Sequence, residues 1–309
     1  MHTALITHPV CLEHDMGMGH PECPDRLRAV LAAFEHESFA MLDRREAPMV
    51  DLKTLKKVHP AFYVEGLLER VPAQGLVRLD PDTAMCPATG DAAQRAAGAI
   101  CLGVDLVMGG EVRNAFCAVR PPGHHAEPST AMGFCFFDNV AVGAIHARDR
   151  YDVKRIAIVD FDVHHGNGSQ SFVDRYRDFF FASSHQSPAY PGTGAEYEHG
   201  IHHNIVNVEL APGSGTQEFR AAWQDRIIPK LRSFGPELIL ISAGFDAHAR
   251  DPLCQLRVQT EDFAWVTAEI LKVANEFCQG RVVSTLEGGY DLGALAASAA
   301  VHVKALMEE

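Results

Sequence analysis

The sequence predicts an α/β protein with a single open, mostly parallel β-sheet and helices on both of its faces. Short apolar runs rich in β-branched residues alternate with longer amphipathic segments, which is typical of repeated β-α units. The runs at 156–159 and 238–241 are continuously apolar, as expected for strands that are buried on both faces. The 309 residues show no internal repeat and no linker, so we expect a single domain over residues 1–309.

Seven strands follow from these runs in chain order. We predict them at 4–7, 114–119, 155–162, 178–183, 204–209, 237–242 and 281–286. Helices are predicted in the gaps between the strands. The clearest covers 89–108, because alanine and branched apolar residues recur there at helical spacing. Three others are predicted at 216–234, 261–277 and 292–307.

Charge and composition exclude several classes of partner. The formal net charge of -13, from 40 acidic against 27 basic residues, would repel a phosphate backbone, so we expect no nucleic acid partner. No apolar stretch reaches the roughly 18 residues that a membrane span needs. The eight cysteines form no C-x-x-C pair, and we see no signal-peptide start. Reduced thiols and a cytoplasmic location are therefore expected, while the oligomeric state stays open.

The segment 155–168 (RIAIVDFDVHHGNG) combines a buried-strand pattern with an abrupt end in acids, histidines and glycines. Side chains two residues apart on a strand share a face, so we expect Asp160, Asp162 and His164 to converge. Open α/β sheets bind ligands at the carboxyl ends of their strands, and carboxylate and imidazole groups suit a divalent cation. This segment therefore predicts a metal site at a strand end.

A second buried-strand pattern, 237–248 (ELILISAGFDAH), ends in Asp246. By itself, an aspartate after a strand is more often the cap of the next helix. Beside Asp162 and His164, however, we interpret Asp246 as a third ligand. Three protein ligands leave coordination positions open for water or substrate, which distinguishes catalytic metal sites from structural ones.

Two further loops carry groups suited to proton transfer and to oxyanion binding. The segment 120–126 (RPPGHHA) presents His124 and His125 on a proline-rich turn, and imidazole exchanges protons near neutral pH. We assign no chemistry to Arg120, since an arginine there also suits an ordinary turn. In the segment 286–291 (LEGGYD), Tyr290 either donates a hydrogen bond to a developing oxyanion or only packs after the Gly-Gly turn.

These four motifs, taken together in this order, resemble the zinc-dependent histone deacetylase family of the arginase/deacetylase fold. The His-His-Gly-Asn-Gly form is similar to class II members and to bacterial histone deacetylase-like amidohydrolases. Further matching blocks occur in the family's order at 19–26 (GHPECPDR), 86–89 (CPAT), 133–139 (GFCFFDN) and 190–194 (YPGTG). The resemblance spans essentially the whole chain and implies a hydrolase that removes acetyl or other short acyl groups from primary amines.

The resemblance also implies a role for each residue that matches a family motif. The implied zinc ligands are Asp162, His164 and Asp246; the implied acid/base pair is His124 and His125, with Asp160 orienting His124 and Tyr290 donating to the oxyanion. Two carboxylates and one imidazole also accept iron(II). The implied tunnel residues are Phe134 and Tyr190, with the Gly133 carbonyl accepting the amide N–H, Leu253 at the gate and Arg26 lining a cavity behind the metal. The implied potassium site uses carbonyls of Asp160, Asp162, His164 and Ser184 and the Ser183 hydroxyl.

Asn167 stands where class I members carry an aspartate beside the second histidine. An amide lacks the charge that would favour a protonated imidazole, so it favours protonated His125 less than a carboxylate would. We therefore hypothesise that His125 is the principal general base, and then the acid toward the leaving amine. His124, close to the charge of Asp160, is expected to act mainly through its electrostatic field.

Two alternative functions compete with a deacetylase. An arginase-like enzyme of the same fold needs further carboxylates for two manganese ions, but this chain carries Gly166 and His248 at the corresponding positions. From another class, a non-catalytic protein that binds acetylated ligands would keep the fold but lose catalytic groups. All the groups named above are present here, which favours an enzyme with one metal ion.

The sequence leaves more than one class of substrate open. ε-Acetyl-lysine in peptides or proteins is one candidate, and acetylpolyamines or other small acylated amines are the alternative. In polyamine-selective relatives a glutamate stands at the gate position that Leu253 takes here, so the apolar side chain favours acetyl-lysine. Glu22, Asp82 or a second subunit are alternative sources of charge at the mouth. The rim segment 9–24, with His14, Asp15, His20 and Glu22, either shapes substrate entry or is a solvated loop, and we favour the solvated loop.

Overall fold

Eight parallel strands form the central sheet of the computed structural model, which describes residues 2–308. The strands, numbered in chain order, are β1 Thr3–Thr7, β2 Asp43–Glu46, β3 Val77–Arg78, β4 Ala84–Met85, β5 Asn114–Cys117, β6 Ile156–Asp160, β7 Phe179–Gln186, β8 Ile205–Leu210, β9 Leu238–Ala243 and β10 Val282–Leu286. The order across the sheet is β2-β1-β5-β10-β9-β6-β7-β8, and each neighbouring pair is parallel. β3 and β4 form a separate antiparallel pair. The predicted open, parallel sheet is confirmed.

Ten α-helices occur within the described residues. They are α1 Pro24–Ala33, α2 Leu52–Val58, α3 Ala61–Glu69, α4 Thr89–Met108, α5 Asn139–Tyr151, α6 Asn167–Val173, α7 Thr216–Ala221, α8 Ile228–Phe234, α9 Thr260–Phe277 and α10 Leu292–Glu308. The helix predicted at 89–108 is present with the same bounds. The one predicted at 216–234 is divided, because a π-helical turn at Ala222–Ile227 joins α7 to α8.

Helices cover both faces of the sheet, as two neighbouring residues of β10 show. Val283 lies against Gly103 of α4, whereas the Ser284 hydroxyl hydrogen-bonds to Nε2 of His302 in α10 over 2.8 Å. Successive side chains of a strand point to opposite faces, so α4 and α10 lie on opposite sides of the sheet. α5 packs beside α4, while α1 and α9 pack beside α10.

The strands that position the site are the ones with the strongest sequence signal. Every residue of β6 and β9 is buried, as their continuous apolar runs predicted. β2, in contrast, is a charged edge strand with the sequence DRRE that pairs only with β1 and is half exposed. Sequence reasoning missed it because an edge strand without apolar residues gives no hydrophobic pattern.

Two findings bear on the expected surroundings of the protein. Within residues 2–308, no helix has the length and apolar character that crossing a bilayer requires. All eight cysteines are free thiols.

Candidate active site

The polar loops predicted from the sequence meet at one edge of the sheet. β5, β10, β9 and β6 are consecutive in the strand order and parallel, so their carboxyl ends lie side by side. The loops that follow them carry the His124 pair, Tyr290, Asp246 and Asp162. The arrangement brings together side chains that are more than 160 residues apart in the chain, at the edge where open α/β sheets bind ligands.

Asp162, His164 and Asp246 form a buried triad. One donor atom from each residue lies within 4.8 Å of the donor atoms of the other two. His164 presents Nδ1 to the triad, 3.2 Å from Asp162 Oδ1 and 3.1 Å from Asp246 Oδ2. Among residues 2–308, this is the one group of three or more such side chains with the spacing to hold a metal ion.

Backbone amides fix the two carboxylates of the triad. Asp162 accepts hydrogen bonds from the N–H groups of His164 (2.9 Å) and Gly288 (2.8 Å), and Asp246 accepts one from Val163 (2.8 Å). A β-carbon on Gly288 would collide with carboxylate oxygens of both aspartates, so only glycine fits there. The loop that carries Tyr290 is thereby tied to the triad.

The electrostatics of the triad favour a bound cation. Burial and the neighbouring charge of Asp162 raise the pKa of Asp246. Burial alone would lower the pKa of His164, but hydrogen bonds to Asp162 and Asp246 raise it. Two carboxylates confined without solvent repel each other, and a divalent ion between them removes that cost. The oxygen donors of the two aspartates and the nitrogen donor of His164 fit zinc and also iron(II).

His124 is paired with a buried carboxylate. Its Nδ1 lies 2.9 Å from Asp160 Oδ2, and the side chains of both residues are almost fully buried. Burial by itself would lower the pKa of His124, but the charges of Asp162 and Asp160 raise it to about 10. Asp160 therefore holds the ring of His124 through Nδ1 and favours its protonated form.

His125 has a neutral partner. Its Nδ1 lies 2.8 Å from Asn167 Oδ1, and its ring centroid lies 4.0 Å from that of His124 and 5.9 Å from that of His164. Burial, together with the positive charges of His124 and His164, holds the pKa of His125 well below its ordinary value. The two adjacent histidines thus lie in opposite electrostatic environments, which is the arrangement expected when one exchanges a proton and the other stays charged.

Tyr290 lies close to the two aspartates of the triad. Burial, with the negative charges of Asp246 and Asp162, raises the pKa of its phenol well above the ordinary value despite the nearby Arg26 guanidinium. The hydroxyl therefore keeps its proton and acts as a hydrogen-bond donor. The Arg26 guanidinium lies 4.8 Å from the Tyr290 ring centroid. The rings of Phe134 and Tyr290 pack edge to face, with 5.9 Å between their centroids.

Phe134 and Tyr190 approach the site from the solvent side. The ring centroid of Tyr190 lies 5.1 Å from that of His125 and 6.3 Å from that of His164, and Tyr190 is 39% exposed. Phe134 follows Gly133 in a turn where both residues have positive φ. Leu253 is 37% exposed, and the Sγ of the next residue, Cys254, is 3.6 Å from His164 Nε2. Tyr190 therefore lies beside the triad, Phe134 lies beside Tyr290, and Leu253 directly precedes a residue that contacts His164, while their roles in a tunnel and gate stay a prediction.

Glu287 is a site residue that sequence reasoning missed. Its Oε2 accepts hydrogen bonds from the N–H groups of Gly123 (2.7 Å) and His124 (3.2 Å). Burial raises its pKa to about 8, although the charge of His124 opposes this shift. Glu287 joins the loop of the histidine pair to the loop of Tyr290, and its place directly before the Gly-Gly turn was the available signal.

The interpretation of 9–24 as a solvated loop is wrong for His14 and Glu22, so Glu22 is not a charge at the mouth, whereas Asp15 in the same segment is exposed. Glu22 and His14 are fully buried, and Glu22 forms ion pairs with Arg26 and Arg120. Burial would raise the pKa of Glu22, but these two guanidinium groups lower it to about 2. Arg120 is likewise a buried ion-pair partner and not an ordinary turn residue. From this segment, His20 contacts Phe134, with 4.8 Å between the two ring centroids.

Arg26 is fully buried and supports the Tyr290 loop. It donates hydrogen bonds to the carbonyl oxygens of Gly289 and Glu287, each at 2.5 Å, and to Glu22 at 2.9 Å. With all three nitrogens engaged, Arg26 fixes the backbone on either side of the Gly-Gly turn. The role that the resemblance implies for Arg26, in a cavity behind the metal, stays a prediction.

The two serines of the implied potassium site lie buried on β7. The Ser183 hydroxyl lies 2.9 Å from His185 Nδ1, and the Ser184 hydroxyl accepts a hydrogen bond from Trp223 Nε1 over 2.9 Å. Both hydroxyl groups therefore have side-chain partners, and the potassium role of this site stays a prediction.

The positions that distinguish arginase-like enzymes carry no further metal-binding carboxylate. Gly166 lies against the carboxylate of Asp160 and the ring of His124. His248 hydrogen-bonds through Nε2 to the Thr260 hydroxyl over 3.1 Å. A binuclear centre thus lacks the side chains it would need at both positions.

Comparisons with known proteins agree with this geometry. The family model described as histone deacetylase domain matches residues 20–306. The chain is 38% identical over 278 residues to the histone deacetylase-like amidohydrolase of Pseudomonas aeruginosa, covering 88% of this chain and 73% of that protein. It is 33% identical to a probable deacetylase of Archaeoglobus fulgidus, covering 100% of this chain and 89% of that protein.

A solved structure shows the same fold. The crystal structure of the HDA15 HD domain superposes with a TM-score of 0.93 at 33% sequence identity, covering 100% of this chain and 88% of the other. The arginase/deacetylase fold is therefore confirmed. Because the family model spans nearly the whole sequence, the chain belongs to the histone deacetylase family.

Proposed function

We propose that this protein is a zinc-dependent amidohydrolase that removes acetyl or other short acyl groups from primary amines, with ε-acetyl-lysine as its preferred substrate. The observation that carries the proposal is the buried triad of Asp162, His164 and Asp246 beside a histidine pair with opposite electrostatics. We further propose that residues 1–309 act as one catalytic domain and that the protein works in the cytoplasm, where its free thiols stay reduced.

The triad would hold the metal ion through one oxygen of each aspartate and Nδ1 of His164. A zinc ion bound there supplies Lewis-acid chemistry, since it polarises an acyl carbonyl and lowers the pKa of water. Iron(II) fits the same donors. A potassium ion near Ser183 and Ser184 is part of the proposal through family resemblance alone.

His125 is proposed as the residue that moves the proton. With Nδ1 facing the oxygen of Asn167, Nε2 is free to take a proton from the attacking water and then to deliver it to the leaving amine. His124, held by Asp160 at 2.9 Å, stays protonated and stabilises negative charge through its field. No covalent link between protein and substrate is required.

Tyr290 is proposed as the donor to the oxyanion. Negative charge develops on the carbonyl oxygen when water attacks an amide, and a phenol that keeps its proton stabilises that charge by donating a hydrogen bond. Arg26 and Phe134 flank the ring and restrict its movement. Its role is therefore to bind the transition state more tightly than the substrate.

The residues on the solvent side of the triad fit an extended apolar chain. Phe134 and Tyr190 would flank the four methylene groups of lysine, and the Gly133 carbonyl would accept the amide N–H. The half-exposed Leu253 offers no charge to a distal ammonium, which favours acetyl-lysine over acetylpolyamines. Acetylpolyamines and other small acylated amines are the second candidate, favoured by the net charge of -13.

One comparison of substrates and variants tests the proposal. Turnover of an acetyl-lysine peptide and of acetylspermidine is measured for the wild type, Asp246→Ala and Tyr290→Phe. We expect the wild type to prefer the peptide and both variants to lose most activity. Activity that survives both substitutions contradicts the mechanism, whereas a strong acetylspermidine preference contradicts only the choice of substrate. Tight binding of acetyl-lysine without turnover would identify a binding protein instead.

A further inference from the structure

The carboxylate of Glu127 contacts the partner of the proposed proton acceptor. Glu127 Oε1 accepts a hydrogen bond from Asn167 Nδ2 over 2.7 Å, and Asn167 Oδ1 in turn faces His125 Nδ1. We propose that Glu127 is a positioning residue that fixes the amide orientation of Asn167 and thereby the tautomer of His125. This inference rests on the proposed function, since it concerns the residue that moves the proton.

Both oxygens of Glu127 are engaged by the same helix. Ser171 donates its hydroxyl hydrogen to Glu127 Oε2 over 2.7 Å, while Asn167 donates to Oε1. Asn167 and Ser171 are one turn apart at the start of α6, so they present their side chains on one face. The carboxylate therefore bridges two neighbouring positions of α6 and holds the amide from the side opposite His125.

The backbone of Glu127 is itself held in a narrow turn. Its N–H donates to the Thr130 carbonyl over 3.0 Å, and the Thr130 N–H donates back over 3.4 Å. These bonds form an isolated antiparallel bridge just after the histidine pair. Glu127 is thus held both through its backbone and through its carboxylate, so its side chain can impose an orientation on Asn167.

An amide is asymmetric, and the surroundings of Asn167 accept one of its two orientations. A carboxylate only accepts hydrogen bonds, so the NH₂ group must face Glu127 and the carbonyl oxygen must face His125. The reversed amide would place its oxygen against the Glu127 carboxylate and the backbone carbonyl of His125, which lies 3.4 Å from Nδ2. Glu127 therefore excludes the reversed orientation.

The orientation of the amide decides which nitrogen of His125 carries the proton. An amide oxygen can only accept, so Nδ1 of His125 must carry a hydrogen and Nε2 keeps the lone pair. A reversed amide would donate to Nδ1 and move the hydrogen to Nε2, where the ring could no longer accept a proton from water. The tautomer of His124 does not depend on the orientation of its partner in this way, because both oxygens of the Asp160 carboxylate are acceptors.

The same geometry makes Glu127 and an aspartate at position 167 incompatible. In Asn167→Asp, a second carboxylate would replace the NH₂ group that now donates to Glu127 over 2.7 Å. The effect of changing Asn167 should therefore depend on the residue at position 127. Such coupling is measured by a double-mutant cycle.

The kinetic test uses the full-length, metal-loaded protein and an acetyl-lysine peptide. We expect Glu127→Ala to lower kcat about tenfold with little change in KM, and Glu127→Gln to stay near the wild type because its amide oxygen still accepts from Asn167. Asn167→Asp should lower kcat about tenfold, and the Glu127→Gln/Asn167→Asp pair should recover most of that loss. Glu198→Gln is the matched control, since Glu198 lies nearby but bonds to Gln170 instead.

A spectroscopic readout separates this inference from the proposed function. Nitrogen-15 NMR of the metal-loaded protein reports the tautomer of His125, assigned by the signals lost in His125→Gln. The Nδ1–H form is expected in the wild type and in Glu127→Gln, and a mixture of tautomers is expected in Glu127→Ala. An unchanged tautomer in Glu127→Ala overturns the inference whether or not the protein turns over any acetylated amine. The inference is also overturned if Asn167→Asp lowers kcat by the same factor in the wild type and in Glu127→Gln.

Discussion

The backbone N–H of Tyr290 donates a hydrogen bond to the carboxylate of Asp251 over 2.7 Å. The other oxygen of Asp251 accepts the N–H of Leu253 over 3.0 Å. One carboxylate therefore holds the backbone of both the proposed oxyanion donor, Tyr290, and the proposed gate residue, Leu253. Burial, and then the charge of Asp246, raises the pKa of Asp251 to about 7, yet both bonds require only its acceptor oxygens.

Removal of this carboxylate should misplace Tyr290. We expect Asp251→Ala to lower kcat by about 10- to 100-fold, because small displacements of catalytic groups are costly, and Asp251→Asn to lower it less. Steady-state kinetics on an acetyl-lysine peptide measure the effect. Asp51→Ala is the control, since Asp51 also accepts a backbone N–H but caps α2. Equal losses in both variants would indicate general destabilisation instead of positioning.

Loss of the Tyr290 hydroxyl should affect the transition state selectively. In Tyr290→Phe the ring stays between Arg26 and Phe134, so substrate binding is expected to change little. We expect kcat to fall by about 10²- to 10³-fold, the usual effect of removing one oxyanion donor. Separate determination of kcat and KM checks this prediction. An increase in KM with kcat unchanged would assign Tyr290 to ground-state binding.

A charge at the gate should shift the choice of substrate. Leu253→Glu places a carboxylate at the half-exposed mouth, where it can attract the distal ammonium of acetylspermidine. We expect kcat/KM for acetylspermidine relative to an acetyl-lysine peptide to rise by about fivefold at low salt, in keeping with the strength of an exposed ion pair. The gain should shrink as salt screens the charges. Leu253→Gln is the uncharged control, and an equal shift in that variant would rule out an electrostatic gate.

His302 should make the fold sensitive to acid. It is fully buried between the hydroxyl groups of Thr267 (2.7 Å) and Ser284 (2.8 Å), and burial lowers its pKa to about 3. Above the ordinary histidine pKa the ring is neutral in both states. Below it, only the unfolded chain binds the proton, so the free energy of unfolding falls as the pH decreases toward 3.

Denaturant unfolding at several pH values tests this linkage. Between pH 6 and pH 5, we expect the slope of unfolding free energy against pH to be smaller in His302→Gln than in the wild type by about 1 kcal/mol per pH unit. His199→Gln is the matched control, since it makes the same substitution at an exposed position. An unaltered slope in His302→Gln would mean that the imidazole is protonated in the folded protein too.

The sequence was sufficient to predict the part of the site that consists of strand ends. Asp162, His164 and Asp246 follow strands whose apolar runs are unmistakable, and parallel strands bring their carboxyl ends to one edge. Local pattern and a general rule of α/β sheets therefore predicted their convergence. The loops of His124 and Tyr290 were found in the same way.

The carboxylates that support these groups could not be found by that reasoning. Glu22 pairs with Arg120 across 98 residues, and Glu287 bonds to the Gly123 amide across 164 residues. In the sequence each is a single acid in a polar loop, which is normally solvated. Burial beside a distant arginine or amide is a property of the tertiary structure, and so the rim segment was misinterpreted.

Metal titration tests whether one metal ion held by Asp162, His164 and Asp246 supports amide hydrolysis. The protein is stripped with a chelator, checked by elemental analysis, and titrated with Zn²⁺ while acetate release from an acetyl-lysine peptide is followed. We predict loss of activity on stripping and a linear recovery that stops at about one equivalent per chain, as a three-ligand site with one ion requires. Full activity in the stripped protein, or recovery only after two equivalents, would mean that hydrolysis does not depend on a single metal ion at these three residues.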